Sequence, residues 1–75
     1  MNTNETTTAS LVAKALEQAE RSVSWVADKA GMAPSTLRRK LRGTRDFTTG
    51  EVASIAAALG VRPSELLPPE FRDAA

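Results

Sequence analysis

Apolar residues recur along this chain at three- and four-residue spacing and never alternate in twos, so the pattern predicts helices and no strands. Leu11, Val12, Ala15, Leu16 and Ala19 mark a first helix over roughly 9–20, with Thr8 as its N-cap. Val23, Val26, Ala27 and Ala30 form the stripe of a second helix over 23–30, capped by Ser22 and stopped by Gly31. Leu37 and Leu41, four apart, give a third helix over 34–42, with Pro34 in its first turn and Gly43 after its end. Thr48 and Glu51 have the spacing of a capping box, and Phe47 with Val52 that of a hydrophobic staple. They open a fourth helix through Val52, Ile55, Ala56 and Leu59, which Gly60 ends with Val61 as its apolar contact. Pro63 starts a last short helix through Leu66 and Leu67, and Pro68-Pro69 breaks it.

The expected architecture is all-α: a compact bundle of about five short helices over residues 9–67. A flexible polar arm over 1–8 precedes it, and a tail over 68–75, disordered or docked through Phe71, follows. Trp25 is expected to lay part of its ring on the surface of the domain, and Lys40 to run its stem over the core with its charge in water.

Composition removes several classes of chemistry. With no Cys and no His, disulfides, ordinary zinc sites and the Ser–His and Cys–His nucleophile pairs are out of reach. Glu17 and Glu20 read as a solvated face and not as an acid–base pair. No enzyme activity, metal or other cofactor is expected. Residues 1–8 carry no basic start and no apolar stretch, and no run approaches the roughly 20 apolar residues that span a bilayer. A cytoplasmic location, in a bacterial or phage-infected cell, is the expectation.

Charge changes the picture more. The net charge is +1, from 10 basic and 9 acidic residues. Arg38, Arg39, Lys40, Arg42 and Arg45 fall between Pro34 and Arg45 with no acidic residue among them, which leaves a net −4 elsewhere. A local basic block on a near-neutral body points to a polyanion. A solvated helix face is the alternative. Like charges at i,i+3 and i,i+4 cost roughly 0.2–0.5 kcal/mol per pair, however, and a helix kept soluble for its own sake would intersperse Glu.

The second and third helices are separated by a few residues around Gly31, the sequence form of a helix-turn-helix. Ala27 allows the two helices to cross closely, and Val26, Leu37 and Leu41 seat the pair. The stretch Ser22-Val23-Ser24-Trp25-Val26-Ala27-Asp28-Lys29-Ala30-Gly31-Met32-Ala33-Pro34-Ser35-Thr36-Leu37-Arg38-Arg39-Lys40-Leu41-Arg42-Gly43 resembles the Cro/lambda-repressor helix-turn-helix family, the XRE-type regulators. Ile55-Ala56-Ala57-Ala58-Leu59-Gly60-Val61, then Pro63 and Leu66-Leu67, is similar to that family's fourth and fifth helices.

The resemblance implies a sequence-specific double-stranded-DNA-binding transcriptional regulator, similar to a phage repressor or Cro protein, that occupies an operator through the major groove. It implies base contacts from Pro34, Ser35, Arg38 and Arg39. Arg39 is the leading reader, because a guanidinium can bond guanine O6 and N7 together. It implies phosphate contacts from Ser22, the backbone of Val23, Thr44 and Arg45, with Arg42 near the backbone and Thr36 either at phosphate or capping locally. The family often carries Gln at the first position of its second helix. Val23 departs from that, and Pro34 stands where a polar base-reading side chain is usual. Relatives usually bind as dimers on half-sites about one helical turn apart. Here a dimer would be weak and use Leu66, Leu67 and Phe71, and a monomer on an asymmetric site stays open. Two other readings keep the fold: the antitoxin of a toxin–antitoxin pair, and a protein-interaction module whose basic block meets an acidic protein.

Overall fold

The computed structural model describes residues 7–69; of the expected arm over 1–8, residues 1–6 lie outside the described residues while Thr7 and Thr8 belong to the start of the first helix, and of the expected tail over 68–75, residues from 70 on, with Phe71, lie outside them. Among the described residues four α-helices follow one another: α1 (Thr8–Ala19), α2 (Val23–Ala30), α3 (Pro34–Leu41) and α4 (Thr49–Leu59). A single 3-10 turn, Pro63–Leu66, stands where the fifth helix was expected. No strand occurs among the described residues, and no helix there is long and apolar enough to cross a membrane.

Local chemistry explains the boundaries. The cap of α1 is Thr7, one residue before the expected Thr8; its Oγ1 accepts from the Ser10 N–H, and Ser10 Oγ accepts from the Thr7 N–H, both at 3.1 Å. Ser22 Oγ accepts from the Trp25 N–H at 3.0 Å and starts α2. The capping box of α4 closes as expected, with Thr48 Oγ1 accepting from the Glu51 N–H and the Glu51 carboxylate from the Thr48 N–H.

Three helices end on one device, in which an N–H reaches back over the last turn to satisfy an orphan carbonyl. Arg21 donates to Leu16 at 3.1 Å, Met32 to Ala27 at 2.8 Å and Val61 to Ala56 at 3.0 Å. The residue before each donor is left-handed. Gly31 and Gly60 take that conformation freely, but in α1 the residue is Glu20, at φ +56°. A glutamate gives no sequence signal for such a corner; the helix was expected to end at about residue 20, and it ends at Ala19 with Glu20 as its left-handed cap.

The core is a single cluster. α1 contributes Val12 and Leu16, α2 Val26 and Ala27, α3 Leu37, α4 Val52, Ile55 and Ala56, and the 3-10 turn Leu66. Ala27 and Ala56 are fully buried, and their small side chains let α2 and α4 approach closely. α1 lies across α3, α4 and the 3-10 turn. Phe47, half-buried, packs on this cluster just ahead of the α4 cap. Leu66 is 1% exposed and belongs to the chain's own core, so it is corrected as a dimer contact; Leu67 is half-buried against the same cluster.

Leu37 is the largest side chain that α3 inserts into this core. Leu37→Ala is expected to cost about 2–5 kcal/mol, and Ile55→Val in α4 about 0.5–1.5 kcal/mol, read from urea denaturation midpoints at constant slope. In a domain this small, the first change should leave a visible unfolded fraction without denaturant.

Candidate nucleic-acid interface

The eight residues of α3 divide into two arcs. Leu37 and Lys40 are buried and Thr36 and Leu41 half-buried; Pro34, Ser35, Arg38 and Arg39, with Arg42 at the C-cap, are exposed. Positions 34, 35, 38, 39 and 42 share one side of a helix with 3.6 residues per turn, so three guanidinium groups project from one face. Pro34 occupies the first helical position, where its missing N–H is not needed, and Ala33 provides no side-chain cap. Arg38, Arg39 and Lys40 lie in the last turn, near the negative end of the helix dipole, which offsets part of their mutual repulsion.

The end of α3 is tied to the loop behind it. The Thr44 hydroxyl donates to the Arg39 carbonyl at 2.8 Å, and Gly43, at φ +86°, donates its N–H to the Lys40 carbonyl at 3.0 Å. Arg45 is exposed beyond this turn and lines a shallow hollow with Thr8 and Ala9 at the start of α1.

The side chains at the start of α2 are placed differently from one another. Ser22 is exposed with its oxygen engaged as the cap. Val23 is half-buried against the core, so its outward offering is its backbone N–H, which has no intrahelical acceptor at that position. Thr36 sits in the cleft beside Met32, Thr48 and Ser54, off the arc that carries the arginines. Ser24, which sequence reasoning passed over, accepts a hydrogen bond from Arg38 Nη2 at 3.4 Å and links α2 to the exposed face of α3.

Lys40 is corrected. Its ammonium is not held in water; it donates to Glu51 Oε1 at 2.5 Å, and the residue is 9% exposed. The signal was present: Lys40 is three residues beyond Leu37 and so falls on the inward arc. A capping box had already placed Glu51 at the start of α4. The basic face thus loses one charge and keeps Arg38, Arg39, Arg42 and Arg45, none of which has an ion pair among the described residues. Those charges meet no acid among the described residues, which leaves them open to an anion outside the chain.

The Lys40 ammonium, and then the Thr48 N–H, hold the Glu51 carboxyl below its usual range, against an opposing cost of desolvation. A carboxylate whose pKa is lowered by folding stabilises the native state above its unfolded pKa, and that contribution is lost as pH falls through the lowered folded value. The urea midpoint of the parent is therefore expected to drop more steeply than that of Glu51→Gln as pH falls below about 4.3. Parallel curves would remove Glu51 from the acid response.

The family model of the helix-turn-helix domain matches residues 11–68, from within α1 to just past the 3-10 turn. No curated protein and no solved structure matches the chain.

Proposed function

The chain belongs to the helix-turn-helix domain family, and from that premise we propose that it is a sequence-specific double-stranded-DNA-binding regulator of transcription that presents α3 to a major groove. The observation that carries this reading is the outward arc of α3: three exposed arginines, with no carboxylate partner among the described residues, and a buried leucine beneath them. A groove about 12 Å wide admits a helix presented in this way.

Within the reading, Pro34, Ser35, Arg38 and Arg39 face base edges. Arg39 is the principal reader because its guanidinium has no partner among the described residues, whereas Arg38 is braced on Ser24. Pro34 offers apolar contact to a thymine methyl. Ser22, the Val23 backbone, Arg42, Thr44 and Arg45 hold the register on phosphates. Thr36, set back in its cleft, supports α3 from behind. The regulator acts in the manner of a phage repressor, by covering an operator. With Leu66 committed to the core, a preformed dimer at the 3-10 turn loses one of its three expected apolar contacts. Two copies would then meet on DNA, at half-sites about one helical turn apart.

Selection from random duplex DNA tests this directly. The parent is expected to enrich one sequence, with affinity falling steeply as salt rises. Arg39→Ala should lose about 1–3 kcal/mol on that sequence and relax preference at one base position. Arg45→Ala should weaken all sequences alike and lower the salt slope by about one. A parent that ignores every duplex at low ionic strength overturns the proposal.

A further inference from the structure

α2 carries a second cationic feature on its outer side. The Trp25 ring is half-buried against the core, and the Arg21 guanidinium carbon lies over it, 4.2 Å from the ring centroid; the Lys29 ammonium is 5.5 Å from the same centroid. Trp25 and Lys29 are one turn apart on α2, and Arg21, just before the Ser22 cap, folds its side chain back over the same ring. Arg21 itself is exposed and has no ion pair among the described residues. Its backbone is fixed by the hydrogen bond from its N–H to Leu16, just after the left-handed corner at Glu20.

We infer that Arg21, held on the ring of Trp25, is a further phosphate-contacting residue that carries the duplex footprint past α3 to the start of α2, with Trp25 as its positioning residue. The inference rests on the DNA-binding reading above. One observation and two physical arguments support it. The start of α2 adjoins the arginine face of α3, because Ser24, three residues after Arg21, accepts from Arg38. An indole face attracts the guanidinium charge but takes no hydrogen bond from its edge, so the N–H donors stay available to an oxyanion. A long side chain already held against a ring also loses less freedom when a phosphate arrives than one moving in solvent. A solubilising arginine beside a core indole would need none of this placement.

The test compares full-length variants on two duplexes, the selected sequence and a random one, across a salt series. Arg21→Gln is expected to weaken both duplexes by the same factor and to lower the salt slope by about one, leaving base preference unchanged. Trp25→Leu keeps the charge but frees it; it should weaken both duplexes, Trp25→Phe should restore binding, and Arg21→Gln should add little in the Trp25→Leu background. A parental slope in Arg21→Gln overturns the inference. Full additivity of Arg21→Gln and Trp25→Leu overturns the positioning role. If Trp25→Leu melts too early to assay, the Arg21→Gln slope decides alone, since that side chain is on the surface. Failure of the parent to bind duplex DNA sinks the functional reading and takes this inference with it; parental binding with an unchanged Arg21→Gln slope sinks the inference alone.

Discussion

The burial of Leu37 is what the rest of this molecule depends on. α3 is two turns long, and isolated helices shorter than about 12–15 residues are marginal in water. It also begins without a side-chain cap and crowds its cations. The favourable residues within α3 are too few to keep it helical alone. It persists because Leu37 enters the shared core and Lys40 reaches Glu51. The orientation of the arginine face is therefore a property of the whole bundle, imposed on a segment too short to hold itself in water.

Two kinds of anchoring act on the same arc. The apolar one is non-directional and fixes depth. The ionic one is directional: Glu51 Oε1 takes a proton donor from Lys40 and another from the Thr48 N–H, so the start of α4 and the back of α3 share one atom. Exposed ion pairs contribute little to stability. This one is largely withdrawn from water, and its partners are held by a leucine on one side and a capping box on the other.

Much of this was legible in the linear sequence, and the residues show why. Ser22, Gly31, Thr48, Glu51 and Gly60 act through local backbone chemistry, which depends only on near neighbours. The corner at Glu20 was hidden because a glutamate does not signal a left-handed conformation, and the hydrogen bond from the Arg21 N–H to Leu16 that closes it has no side-chain signature. The contact of Lys40 with Glu51 and that of Arg38 with Ser24 join positions 11 and 14 apart in sequence. Periodicity can place each partner on a face of its own helix, but only the crossing of the helices brings the two together. Leu66 misled for the same reason, since a leucine near the end of a helical run reads alike whether it faces its own core or another molecule.

The division of α3 into two arcs has an evolutionary corollary. None of the five outward positions contributes a buried side chain, while the inward set carries the packing. Selection can exchange Pro34, Ser35, Arg38, Arg39 and Arg42 almost as freely as letters on a fixed signboard. New recognition preferences can then arise by substitution at the rim, while the scaffold that displays them is inherited intact.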